Sequence, residues 1–241
     1  MMSDLTGKKI VITGGSSGIG LACARSLSNH GAEIIIASRS STKLDTAKKL
    51  IGGNSQTHEL DVTDESAVKA FFDKVGAFDH LITPAAGGAL GAFVELDTVQ
   101  ARDLVESKLW GQYHCAKYAA PKLRKGATIT FFSGIVSRKP IAGGSAYAII
   151  AGAMESLTRT LALELAPTRV NCVSPGVIDT PLWSDLLPED ARQEHMRSMA
   201  TTLPVGKAGT ADDVAKAVLY LIGNDFATGS IVDIDGGHRV T

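Results

Sequence analysis

At 241 residues the chain has the length of one α/β domain, enough to bury most of its apolar surface in a single core. A formal net charge of −1 with 44% hydrophobic residues leaves no basic footprint for a polyanion, so no nucleic-acid partner is expected. No apolar run reaches the ~18 residues of a membrane span, and the uncharged stretch 140–154 is too short and too Gly-rich, so no membrane partner is expected.

The start, Met1-Met2-Ser3-Asp4, lacks the charged-then-apolar pattern of a secretory signal. Cys23, Cys115 and Cys172 lie far apart without metal-ligand spacing, which predicts reduced core thiols, no metal site and a cytoplasmic protein. The β-branched run 8–12 reads as a first strand, and 18–29 as a helix stopped at His30-Gly31. A strand over 33–37, a helix over 41–50, a strand over 57–60 and a helix over 64–75 capped by Asp64 follow. Then come a strand over 80–83, one long helix over 97–123, a strand over 127–132, a second long helix over 145–165 and a strand over 169–173. A helix over 211–222 and a strand over 230–234 close the chain.

Strand–helix alternation with short connections predicts an α/β, doubly wound (Rossmann) fold. Its parallel seven-stranded sheet lies between helices on both faces, a three-layer α/β/α arrangement of one domain over 1–241. The irregular stretch 181–204 carries Trp183, Leu186, Leu187, His195, Met196 and Met199 between two prolines. It reads as a mobile substrate lid or as a surface helix with a core face. Trp183, Leu186 and Leu187 are its expected substrate-pocket residues.

The first strand runs into Thr13-Gly14-Gly15-Ser16-Ser17-Gly18-Ile19-Gly20. Glycines 14, 18 and 20 allow a tight turn and close approach of backbone to phosphate, and the next helix points its N–H groups and positive dipole end at a pyrophosphate. Ser16, Ser17 and Ile19 belong to the same turn. After the second strand, where a ribose 2′-hydroxyl calls for an acid, stand Ser38 and Arg39. A neutral serine does not repel a 2′-phosphate and an arginine pairs with it, so NADP(H) is expected over NAD(H).

With these motifs the chain resembles the short-chain dehydrogenase/reductase family over nearly its whole length. Asp61-Val62 match the family's adenine-contacting pair; Pro175-Gly176, Ile178 and Thr180 match its turn beside the nicotinamide. Thr83-Pro84-Ala85-Ala86-Gly87 stands where the family has Asn-Asn-Ala-Gly, with Ala85 as a cofactor contact. The resemblance implies a homodimer or homotetramer paired through the two long helices.

The family's catalytic tetrad is Asn, Ser, Tyr and Lys, and only the tyrosine is kept, as Tyr147. The lysine one helical turn later is Ala151, the serine position is Gly134 with Ser133 before it, and the asparagine falls on Lys108. A free tyrosine titrates near ~10, so about one molecule in a thousand would be tyrosinate at pH 7. Oxidising an alcohol needs that base, whereas reducing a carbonyl uses the abundant neutral phenol. The expectation is an NADP(H)-dependent reductase of a small carbonyl substrate with Tyr147 as proton donor. Lys108 would supply the charge lost at Ala151, and Ser133 the hydroxyl lost at Gly134, with Ser137 and Ser145 as fallback donors. The alternative is a catalytically degenerate NADP(H)-binding sensor or scaffold. Asp179 reads as a loop cap rather than a lid contact.

Overall fold

The computed structural model describes residues 4–85 and 87–241. Met1, Met2, Ser3 and Ala86, which entered the readings above, lie outside the described residues. The chain runs β1 (Lys9–Thr13), α1 (Gly18–Asn29), β2 (Glu33–Ser38), α2 (Ser41–Ile51), β3 (Ser55–Glu59), α3 (Glu65–Val75) and β4 (Phe78–Ile82). Next come α4 (Thr98–Val105), a π-helical turn (Glu106–Trp110), α5 (Gly111–Ala119), β5 (Leu123–Phe132), α6 (Ser145–Glu164) and β6 (Arg169–Pro175). The last part holds β7 (Ile178–Asp179), α7 (Leu182–Leu186), α8 (Glu189–Thr202), β8 (Gly209–Thr210), α9 (Ala211–Gly223) and β9 (Ile231–Ile234).

Seven strands form one parallel sheet in the order β3-β2-β1-β4-β5-β6-β9, and β7 pairs with β8 separately. The strand order reverses direction between β1 and β4, the switch point where the carboxyl ends of the strands leave a crevice. On one face Leu27, Ile34, Ile36, Val218 and Leu221 pack under α1, α2 and α9. On the other Phe71, Phe72, Phe78, Leu81, Phe131 and Met154 pack under α3 to α6. Such two-sided cover explains why the centres of β1 and β2 read as unbroken apolar runs. All three cysteines are buried and free. No helix of the described residues is long and apolar enough to cross a membrane.

Three differences from the sequence reading matter. The helix expected over 97–123 is broken by the π turn, which periodicity cannot register because it adds a single residue to one turn. The third, fourth and fifth strands begin two to four residues earlier than expected, at Ser55, Phe78 and Leu123. Neither a bulge between Phe78 and His80 nor the polar start of β3 shows in an apolar count. The stretch 181–204 is mostly helical, as α7 and α8, and no residue of either helix is fully buried.

His80, buried in β4 with Nδ1 3.0 Å from Thr128 Oγ1, sets a pH dependence on the fold. Burial, aided by Lys8 and Arg169 and opposed by Asp79, pulls its pKa down to about 4. Between pH 6.5 and that value the unfolded chain binds the extra proton, so stability falls as pH drops through this window. The loss is expected to approach ~3 kcal/mol. Urea midpoints from pH 7.5 to 4.5 should fall less steeply in His80→Gln than in the parent; equal slopes would refute the assignment.

Candidate functional site

The cleft begins where β1 turns into α1. Gly14 donates its N–H to Ala37 O at 2.7 Å, tying the turn to the end of β2. A Cβ at Gly14 would sit 2.6 Å from Ala85 Cα, and one at Gly20 would sit 2.1 Å from Gly14 O, so neither position admits a side chain. Gly14, Ser16, Ser17, Gly18, Ile19 and Gly20 line one wall, with the N-terminus of α1 open toward it. Ser38 and Arg39 line one end together with Ser40 and Lys43. Ser38 Oγ is buried without a hydrogen-bond partner, and Arg39 pairs with no acid among the described residues. Asp61 and Val62 line the same cleft, and Asp61 Oδ1 accepts from Thr63 N and Oγ1. A glycine cradle, an orphaned hydroxyl and an unpaired guanidinium fit a dinucleotide with a 2′-phosphate. Pro175 and Thr180 line the opposite end. Gly176 and Ile178, expected beside the nicotinamide where the family uses a backbone amide, present no side chain to the cleft. A Cβ at Gly176 would meet Asp235 Cα at 2.7 Å, and Ile178 buries its side chain against Gly209. Neither lines the cleft, so what they can offer is main chain.

The π turn governs the centre of the cleft. Its extra residue lets Gly111 N reach back to Glu106 O, and Gly111 itself is required because a Cβ there would meet Val62 Cγ2 at 2.6 Å. Lys108 O accepts from Gln112 Nε2 at 2.7 Å. The same amide donates to Phe132 O at 2.9 Å, while Gln112 Oε1 accepts from Phe132 N and Thr83 Oγ1, both at 2.8 Å. One buried glutamine thereby ties the turn to the ends of β4 and β5.

Lys108 lines the cleft, and its Nζ lies 5.9 Å from the centroid of the Tyr147 ring. The residue is half-buried and lines the cleft, and its Nζ has no hydrogen-bond acceptor or carboxylate partner among the described residues. This burial pulls its pKa down to about 8. Tyr147 OH donates to Gly87 O at 3.2 Å, and burial raises the phenol pKa against a smaller lowering by the Ala89 backbone. Ser133, at the tip of β5, faces the cleft with its buried Oγ unpartnered. Gly134 is extended, and a Cβ there would meet nothing closer than 3.9 Å. Of the fallback donors, Ser137 is committed elsewhere, donating to Glu155 at 2.6 Å. Ser145 does not line the cleft.

Tyr147, Ala151 and Glu155 share one stripe of α6. Ala151 is buried, and Glu155 below it pairs with Arg138 at 2.7 Å. Arg138 also pairs with Asp233 of β9, which Arg239 meets at 2.6 Å. Sequence reasoning missed this buried ion network because its members are scattered over three segments.

The 181–204 segment covers the cleft differently from expectation. Leu186 packs on Gly88, where a Cβ would meet Leu186 Cδ2 at 2.8 Å, and Leu182 sits beside it at 3.3 Å. Leu182 and Asp185 line the cleft, but Trp183, Leu186 and Leu187 do not. Trp183 turns inward, donating Nε1 to Ile178 O at 2.9 Å and stacking on His195 at 4.6 Å. Leu187 ends α7 with its N–H on Trp183 O. Leu182 lies one helical turn before Leu186, a spacing that could have flagged it. Asp179 is not a loop cap: it pairs with Arg192 of α8 at 2.7 Å, anchoring that helix.

A family model described as enoyl-(acyl carrier protein) reductase matches residues 14–239. The chain is 33% identical over 253 residues to the NADP-dependent (R)-specific alcohol dehydrogenase of Lentilactobacillus kefiri, covering 99% of each. It is 32% identical over 241 residues to the cyclic-di-GMP-binding biofilm dispersal mediator protein of Escherichia coli, covering 98% of each. Among solved structures it is similar to a small-chain dehydrogenase in complex with NADPH, with 36% identity, a TM-score of 0.86 and coverage of 97% of this chain and 99% of that one. A short-chain dehydrogenase/reductase from Brucella melitensis superposes with a TM-score of 0.92 at 27% identity, covering 99% of each chain.

Replacing Gln112 by Leu should strand the partners of its amide and destabilise the fold by about 2–4 kcal/mol. Cofactor affinity should fall with it, and Gln112→Glu, which sets a buried carboxylate oxygen against Lys108 O and Phe132 O, should lose at least as much. Denaturant melts and cofactor titrations check both, and a wild-type midpoint in Gln112→Leu would refute the role.

Proposed function

As the chain belongs to the short-chain dehydrogenase/reductase family, we propose that it is an NADP(H)-dependent reductase of a small carbonyl compound. In this reading Tyr147 is the proton donor and Lys108 the cation that stands in for the lysine absent at Ala151. Its main support is the approach of Lys108 Nζ, on the cleft wall, to 5.9 Å from the Tyr147 ring centroid. When bound, NADPH supplies the hydride. The glycine turn and the N-terminus of α1 hold the diphosphate, and Ser38, Arg39 and Lys43 take the 2′-phosphate. Ala85, Asp61 and Val62 border the adenosine half, and Pro175 and Thr180 the nicotinamide half.

Tyr147 OH is held by a single carbonyl, Gly87 O, at the long distance of 3.2 Å, so a substrate oxygen can take over that proton donor. Because burial raises its pKa, Tyr147 stays a neutral phenol at physiological pH, the state that reduction uses and oxidation does not. Lys108 is the cation that steadies the phenolate left behind, and it remains charged below about pH 8. Ser133, with a buried and unpartnered hydroxyl, is the second donor to the substrate oxygen. Leu182 and Leu186 shape an apolar lid over this centre. Copies of the chain pair through α4, α5 and α6, where Val99, Trp110, Tyr113, Ile149 and Leu163 are exposed; a monomeric mass in solution would contradict that pairing.

The second reading, cofactor binding without turnover, draws on Gly134 and Ala151 and on the cyclic-di-GMP-binding relative. NADPH oxidation against ketones, aldehydes and quinones separates the two. Turnover is expected, with a loss of roughly 100-fold or more in Tyr147→Phe. The rate of reduction should be level below pH 8 and fall above it, and Lys108→Met should abolish that inflection. Arg39→Ala should weaken NADPH and leave NADH unchanged. Tight NADPH binding with no turnover on any substrate would establish the second reading.

A further inference from the structure

An ammonium partly withdrawn from water without a counter-ion gives up its proton more readily than a free one, because desolvation penalises only the charged form. Lys108 is in this position. It pairs with no carboxylate and donates to no acceptor among the described residues. The titratable groups that face it are Tyr147 from α6 and Cys172 from β6. Burial raises both, the thiol to about 11, so neither offers an anion at neutral pH. On its own turn Glu106 is exposed and forms no pair with it. The contact it does make, with the face of the Tyr147 ring, is worth about 0.5–2 kcal/mol, less than the cost of burying a charge. The π turn holds the stem in place through Gln112, and the amine opens into the cleft.

We propose that Lys108 is a nucleophilic amine that captures small aldehydes and ketones entering the cleft as a Schiff base. This goes beyond the reductase reading and needs neither hydride nor turnover. The Nζ lone pair forms the new C–N bond as the carbonyl π pair moves to oxygen. That oxygen takes the proton shed by nitrogen, and after a second proton transfer it leaves as water, giving the imine. Nothing is oxidised or reduced, and hydrolysis reverses the step. A carbonyl compound in this cleft therefore has two fates, reduction beside Tyr147 or reversible capture by Lys108. The two fates have opposite pH dependence, since one uses the ammonium and the other the amine.

The test uses the intact cofactor-free chain with propanal and sodium cyanoborohydride, which traps the imine as a stable secondary amine. Peptide mapping then compares each lysine. A pKa of about 8 against the usual ~10.4 raises the amine fraction at neutral pH roughly 100-fold. Part of this is offset by lower basicity, so Lys108 is expected to be alkylated at least ~10-fold faster than exposed lysines such as Lys69 or Lys216. Its rate should rise to half-maximum near pH 8, and saturating NADP⁺ should block it. Tyr147→Phe should keep the labelling while losing reduction, so failure of one proposal does not imply failure of the other. Labelling of Lys108 no faster than of exposed lysines, or unaffected by NADP⁺, would overturn the inference. The mapping is done on the unaltered chain, so it stands even where Lys108→Gln fails to fold.

Discussion

The hydrogen bonds of Gln112 hold the centre of this molecule. A helix that opens by one residue leaves main-chain carbonyls without their usual partners, and a buried unpaired carbonyl is costly. Gln112 resolves this by donating to Lys108 O while its other bonds reach Phe132 and Thr83. The π turn is thereby stitched to the tips of β4 and β5, next to the switch point between β1 and β4. Where Lys108 stands, and hence what faces Tyr147, follows from that amide.

From this anchoring comes an unusual pair of titratable groups. Tyr147 and Lys108 are both pushed by burial toward their neutral forms, the phenol upward and the amine downward. A lysine beside the tyrosine hydroxyl would lower the phenol pKa, but Lys108 lies against the face of the ring. The result is a weak acid kept protonated and a cation whose charge changes close to physiological pH. Such a pair suits proton donation better than proton abstraction.

How far the sequence reached depended on the range of the signal. The order of strands and helices, the glycine turn and the pairing of Ser38 with Arg39 at one end of the cleft were legible, because each is a local pattern with a local cause. The π turn was not, since one inserted residue leaves the hydrophobic period nearly unchanged. Gln112 looked like any polar helix residue, and nothing near it in the chain announces Thr83 or Phe132 as partners. The stretch 181–204 was legible as a region with uncovered apolar residues but not side chain by side chain. Trp183, the largest residue there, folds inward onto Ile178 and His195, and the smaller Leu182 takes the position over the cleft.

Ala151 and Lys108 are coupled through the packing around α6. A lysine at 151 would lie one turn above the buried Glu155, whose carboxylate is already satisfied by Arg138 and Ser137. It would compete with Arg138 for that carboxylate and, reaching toward the cleft, would set a second ammonium close to Lys108. Two like charges in an enclosed site repel strongly, and each weakens the charged form of the other. The small Ala151 side chain leaves the Glu155–Arg138–Asp233 network intact, and Lys108 approaches Tyr147 from the opposite helix without a rival. Gly134 differs in kind: its Cβ position is open, so no packing constraint forbids a serine there. The surroundings of position 151 therefore disfavour a lysine, whereas those of position 134 would admit a serine.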